Sequence, residues 1–484
     1  MNWRPWLIVP LVASGVALGG PPADRAVERP NVVVILIDNC GQEWLGCYGS
    51  EEGCTPHLDQ LARDGLRVEN CYTPPVCGPS RIVALTGRYL LRSGMTLHHD
   101  AALYGGGGLD PQREWTFARL LREAGYRTAI AGKWQINNLY DEPQALRDHG
   151  FEESLVWPGS IDADRVAPAE RAQFDEAVRQ ADVAFTSQFI SRIESRYWDP
   201  VLLRNGVREV HPGKFGPNLL HEFAAEFVRR QEDRPFLLYY PLVLTHGQTF
   251  TAPVVATPLN RDPDRDHHAM YADMVRYADR LIGELMHVLE RAGQRERTVV
   301  FIATDNGTEK SLAGRRDGRP VTGGLYQLSE AGGNVGLVVH GPGRVRPGTV
   351  LPLADFSDLL PTIAALAGVS LPRDRVFDGV SFARALSTGR TEGLRTWIFN
   401  QYGADRVVRD ERFKLYADGR LFDVRADRGE SHPLDDAADP EPRAARRRLQ
   451  HVLDALPPDS PPPFELRSQS AFKLKQQQQQ QQQP

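Results

Sequence analysis

Cys77-Gly78-Pro79-Ser80-Arg81, followed after a short apolar run by Thr86-Gly87, places a thiol, a hydroxyl and a guanidinium within one short stretch. A cysteine ahead of a Pro-Ser turn is ordinarily a small buried hydrophobe, so this thiol carries chemistry only if its surroundings activate it. The residues after it read as a helix beginning near Ser80, whose N-terminus would offer free N–H groups and a positive dipole end to an anion. Two pairs of oxygen donors, Asp38-Asn39 and Asp305-Asn306, each follow a predicted strand. Carboxylate and amide oxygens suit Ca2+ or Mg2+ rather than zinc, though as isolated dipeptides they are equally ordinary turn residues. Lys133 and His246 also stand just past predicted strand ends.

Bringing these residues together takes a sheet. Asn31 to Ile37 is a continuous β-branched run, the pattern of a strand buried on both faces. Thr128–Ala131, Phe236–Tyr240, Thr298–Ala303 and Val335–Val339 read as further strands. Between them lie amphipathic helices: one from Thr55-Pro56 to Gly65, then 112–124, 218–230 and 267–292. Such alternation predicts an α/β fold with a large, mostly parallel sheet flanked by helices, and open sheets of that kind bind ligands beyond their strand ends. Residues 155–215 read as an irregular, charged and aromatic insertion. Past about 390 the pattern becomes a small antiparallel sheet, with turns at Asp410-Glu411 and Asp418-Gly419 and a helix near 441–455.

The 484 residues, 41% hydrophobic and 25% charged, suffice for a substantial core and a second domain. A net charge of −5 gives no polycationic footprint, so nucleic acid is excluded as a partner. The start, with Arg4 before the apolar Trp6–Leu18, reads as a signal peptide over 1–20, and no other segment is long and apolar enough to insert stably in a membrane. Secretion or a periplasmic location follows as an expectation. All five cysteines lie between 40 and 77; Cys40, Cys47, Cys54 and Cys71 leave three full pairings and free thiols open. The organisation expected is a signal at 1–20, a catalytic domain at 28–388, a small domain at 389–456 and a disordered Pro/Gln-rich tail at 457–484.

The frame Cys77-x-Pro79-Ser80-Arg81 with Thr86-Gly87 resembles the signature of type I sulfatases, formylglycine-dependent and arylsulfatase-like members of the alkaline phosphatase-like superfamily. Gly132-Lys133-Trp134, the Pro235–Tyr239 strand before His246, and Thr304-Asp305-Asn306-Gly307 fall in the same order as that family's motifs, and the resemblance spans roughly 30–435. It implies that Cys77 is oxidised to formylglycine by a formylglycine-generating enzyme. It also implies that Asp38, Asn39, Cys77, Asp305 and Asn306 hold the metal, Ca2+ or else Mg2+. In the implied reaction the hydrated aldehyde attacks sulfur with Asp305 as base, Arg81 and Lys133 stabilise the sulfuryl oxygens, and His246 donates a proton to the leaving alcohol. The implied substrate is a sulfated carbohydrate or another sulfate ester, with Gln135, His98 and His99 near it.

Three positions depart from the family pattern. Asn39 stands where the family has the second of two aspartates, which removes one negative charge and should weaken the metal. Gln135 stands where most sulfatases have histidine, and an amide does not exchange protons near neutral pH. Leu325 stands where a second sulfate-binding lysine is usual, with Arg315, Arg316 and Arg319 as nearby substitutes. Besides a sulfatase, two readings remain open: a phosphoester or phosphonate hydrolase of the same superfamily, and a catalytically impaired protein that binds sulfated glycans.

Overall fold

The computed structural model describes residues 29–98, 108–180, 182–247, 255–262, 265–435 and 439–463. The signal at 1–20, His99 and the tail from 464 onward lie outside these residues.

In chain order the strands are β1 (Asn31–Ile37), β2 (Leu66–Tyr72), β3 (Arg127–Lys133), β4 (Glu153–Trp157), β5 (Val201–Arg204) and β6 (Val207–Val210). There follow β7 (Phe236–Pro241), β8 (Thr298–Thr304), β9 (Ala313–Arg316), β10 (Arg319–Thr322), β11 (Asn334–Val335), β12 (Leu337–His340) and β13 (Thr349–Asp355). The last four are β14 (Ile398–Tyr402), β15 (Asp405–Arg409), β16 (Phe413–Tyr416) and β17 (Leu421–Asp423). Eleven of them form one sheet in the order β11-β2-β12-β8-β1-β7-β3-β4-β5-β6, with β13 beside β2. Its centre, β8-β1-β7-β3-β4, is parallel, and antiparallel strands close both margins.

The period-two alternation of β1 explains its central place. Val33, Ile35 and Ile37 enter one apolar core, while Val32, Val34 and Leu36 enter the other. The first core lies under helices that include His267–Arg291 and Gly216–Arg229, the second under helices that include Cys77–Thr86 and Phe117–Glu123. A separate antiparallel sheet, β14-β15-β16-β17, packs against the terminal helix Pro440–Ala455 through Val408, Leu415, Leu421, Ala445 and Leu449.

Residues 155–215 are not irregular. They hold the end of β4, the helices Pro168–Arg179 and Val183–Ile193, and the β5–β6 hairpin that extends the sheet edge. Phe174, Phe189 and Ile190 bury themselves in the first core, which is why the segment is fixed rather than draped. All five cysteines are free thiols. Among the described residues no helix is long and apolar enough to cross a membrane.

Candidate active site

Parallel strands with a common direction end at a common edge, and here each central strand delivers a polar group to it. Ile37 of β1 lies opposite Thr304 of β8, so Asp38 and Asp305 leave neighbouring strands side by side. Lys133 is the last residue of β3, and the segment after β7 carries His246. Asn39 turns the chain with φ of 56°, a left-handed conformation that asparagine tolerates. Its N–H donates to Asp305 Oδ1 (3.0 Å), and its carbonyl accepts from the Tyr271 hydroxyl of helix His267–Arg291 (2.6 Å).

The charged floor is fully buried. Arg81 donates from Nε (3.0 Å) and Nη2 (2.6 Å) to Asp305 Oδ2, and from Nη1 to Lys133 O (2.6 Å). Lys133 Nζ donates to Asp38 Oδ2 (2.6 Å) and lies 3.3 Å from Cys77 Sγ. Asp38, Arg81, Lys133, Asp305 and Asn306 all have zero exposure.

Cys77 opens its helix rather than preceding it. The helix runs Cys77–Thr86 with Val76 as cap, three residues earlier than the sequence suggests, because Pro79 takes a first-turn position where its missing N–H costs nothing. The thiol donates to Gln135 Oε1 (3.3 Å). Burial pushes its pKa up, with Lys133 acting in the opposite sense, so as a cysteine it is a poor nucleophile.

The oxygen cluster fits a hard divalent cation. Asp38 Oδ1 and Asn306 Oδ1 are buried without a hydrogen-bond partner, while Asn306 Nδ2 donates to Asn39 Oδ1 (2.7 Å) and so turns its own oxygen away from that bond. Burial and the adjacent Asp38 charge both push the Asp305 carboxyl up, the response of crowded carboxylates awaiting a positive charge. Asp38, Asn39, Asp305 and Asn306 supply the all-oxygen donor set that Ca2+ or Mg2+ takes.

Above this floor lies a cleft of about 550 Å³ including its mouth. Asn39, Cys77, His98, Gln135, His246 and Leu325 line it, together with Trp157, Arg196, Glu309 and Tyr326, which sequence reasoning missed. Trp157 ends β4, a strand that sequence reasoning did not pick out. Gln135 Nε2 lies 3.4 Å from His98 Nε2. A side chain at Gly78 would come within 2.8 Å of His98 Nδ1, so the glycine next to Cys77 keeps room for that ring. His246 is largely buried with its edge at the cleft. Burial, then the charges of Lys133 and Arg196, hold its pKa well below the usual range, which leaves a neutral imidazole whose Nδ1 has no partner.

Arg315, Arg316 and Arg319 do not stand in for a lysine at Leu325. They belong to the β9–β10 hairpin, where Arg315 Nε donates to Glu51 Oε2 (3.2 Å) and Arg316 Nη1 to Gln42 Oε1 (2.7 Å), and none lines the cleft.

With this geometry in view, comparison with known proteins is specific. Residues 30–369 match the family model described as Sulfatase. The chain is 30% identical over 436 residues to mouse steryl-sulfatase, covering 78% of this chain and 68% of that protein. It is 32% identical over 409 residues to human arylsulfatase A, covering 81% and 73%. Among solved structures, Ps i-CgsB in complex with k-i-k-neocarrahexaose superposes with a TM-score of 0.71 at 22% identity, over 93% of this chain and 98% of that one. BT4656 in complex with its substrate D-glucosamine-2-N,6-O-disulfate gives 0.65 at 17% identity, over 88% and 97%. At those identities the structural likeness speaks for the fold.

Proposed function

The chain belongs to the sulfatase family and is a sulfuric ester hydrolase, and we propose that its substrate is a sulfated carbohydrate, attacked by a nucleophile made from Cys77. The observation that carries this reading is the setting of Cys77: a thiol that burial keeps unreactive, 3.3 Å from Lys133 Nζ, at the first position of a helix and above two carboxylates. Conversion to formylglycine turns that inert position into a hydrated aldehyde, whose oxygen is the nucleophile. A divalent cation held by Asp38, Asn39, Asp305 and Asn306 would lower the charge barrier to bringing a sulfate group over two carboxylates.

The chain's own residues do the rest. The helix N-terminus at Cys77 and the ammonium of Lys133 present donors to the sulfuryl oxygens. Arg81, locked on Asp305 by two hydrogen bonds, holds that carboxylate in place to take up a proton at position 77. His246 is neutral because of burial and the cations around it. An entering sulfate brings negative charge beside the imidazole, raises its proton affinity and readies it to protonate the leaving alcohol. The ligands of the two structural neighbours, a carrageenan oligosaccharide and a disulfated glucosamine, support a sugar as the leaving part. Export to the periplasm or outside the cell fits such a substrate. The test is sulfate release from sulfated oligosaccharides by chain co-expressed with a formylglycine-generating enzyme. Turnover is expected from the wild type and a loss of at least about 1000-fold in Cys77→Ala; equal rates in the two would overturn the assignment.

A further inference from the structure

Two buried hydroxyls, those of Thr245 and Tyr271, hold the turn after β1 by its backbone oxygens. Where β1 ends, the Asp38 N–H donates to Leu244 O (2.8 Å) and the Thr245 N–H donates back to Asp38 O (2.7 Å). Thr245 Oγ1 lies 3.0 Å from Asp38 O and 3.0 Å from the Tyr271 hydroxyl, so its single proton serves one or the other. The Tyr271 hydroxyl gives its own proton to Asn39 O (2.6 Å). Thr245 and Tyr271 both have zero exposure. Tyr271 stands near the start of helix His267–Arg291, whose first turn is capped by Asp266 through the Ala269 N–H (2.9 Å). The Trp44 ring meets the tyrosine ring edge-on, 4.7 Å between centroids. The hydroxyl therefore reaches the turn from a fixed place.

Asn39 needs such a hold. Its backbone is left-handed, a state that costs energy for any residue but glycine. Its other polar groups link the two halves of the oxygen cluster: its N–H reaches Asp305 Oδ1 (3.0 Å), and its Oδ1 accepts from Asn306 Nδ2 (2.7 Å). The carbonyl points away from that cluster, and Tyr271 takes it. A buried carbonyl stripped of its donor carries the full desolvation penalty, so without the hydroxyl the peptide after Asn39 would turn toward another partner. That rotation loosens the links from Asn39 to Asp305 and Asn306. Asp38 Oδ1 and Asn306 Oδ1, both buried without a hydrogen-bond partner, are of use to one cation only while the turn keeps the cluster together.

We propose that Tyr271, backed by Thr245, is a positioning residue of the metal centre: its hydroxyl fixes Asn39 in the left-handed turn that assembles Asp38, Asn39, Asp305 and Asn306 before the cation arrives. Groups that orient metal ligands from behind contribute about 10- to 100-fold to metal affinity. This rests on the reading above that those four residues hold a divalent cation.

Calorimetric titration of CaCl2 into the metal-stripped full-length chain measures the effect without turnover. The wild type is expected to bind one Ca2+, and Asp305→Asn to abolish that binding. Tyr271→Phe, which keeps the ring and removes the hydroxyl, is expected to raise the Kd about tenfold or more. Thr245→Val, of the same shape without its hydroxyl, should also weaken binding and decides the matter if the phenylalanine variant does not fold. Melting with and without excess Ca2+ separates positioning from plain stability. A merely structural hydroxyl lowers both melting temperatures alike, whereas a positioning one shrinks the rise that Ca2+ brings. A Kd for Tyr271→Phe within about threefold of the wild type, with an undiminished rise, overturns the role of Tyr271 and leaves the metal site standing. A wild type that binds no Ca2+, or no more tightly than Asp305→Asn, overturns the metal site and this role with it.

Discussion

Gln135 borders the group at position 77. Its amide accepts from the Cys77 thiol and adjoins His98, so it orients the group at position 77 without being able to exchange protons with it. Gln135→His restores a titratable ring at the same place. A positioned acid–base group is worth about 100- to 10,000-fold, so the variant is expected to raise kcat on a sulfate ester by about tenfold or more. An unchanged kcat would mean that proton exchange at this position does not limit the rate. Asp38, Asp305, Lys133 and His246 could be picked out in the sequence because each follows a strand-like run and falls in a stretch that resembles a sulfatase motif, and the structure brings all four to one edge of the sheet. Arg196 carried no such mark. An arginine among charged and aromatic neighbours looks like any solvated face until its stacking on Trp157 is seen.

At the scale of elements, the close approach of β3 to the last residue of β7 decides where Lys133 points. Gly132 has φ of 132°, and a Cβ there would lie 1.8 Å from Pro241 O. Gly132→Ala must therefore push two paired strands apart at the floor of the site. It is expected to cost about 2 kcal/mol or more in urea unfolding and to depress kcat/KM more than distance from Cys77 alone would suggest. A near-neutral alanine would show that the strands have slack there. The central strands were legible because their apolar runs are long and uninterrupted. The elements within 155–215 were not, because their apolar stretches are short and interleaved with polar and charged residues, though Asn205-Gly206 between Val201–Arg204 and Val207–Val210 is a strong two-residue hairpin signal. β2 and β13 escaped notice because polar residues interrupt β2 and a proline interrupts β13.

At the scale of the whole molecule, the C-terminal sheet is joined to the catalytic body by buried charge. Arg409 Nη1 donates to Glu330 Oε2 (2.9 Å) and to the Tyr72 hydroxyl (2.6 Å), while Lys414 Nζ donates to Leu328 O (2.6 Å) and lies 3.2 Å from Glu330 Oε1. Burial alone would push the Glu330 carboxyl up, but Arg409 and Lys414 hold it down at about 2. Because its folded pKa lies below the ordinary carboxylate value, its stabilising contribution is present above about pH 4.5 and is lost as the pH falls toward 2. Arg409→Met should therefore cost about 3 kcal/mol at neutral pH, and the acid dependence of unfolding between those limits should become shallower. An unaltered acid profile would remove Glu330 from the account of how the two parts hold together. The proposed chemistry turns on Cys77, and the most direct test is the mass of the peptide that carries it, from chain made alongside a formylglycine-generating enzyme. The account predicts formylglycine at residue 77; an unmodified thiol in that peptide would contradict it.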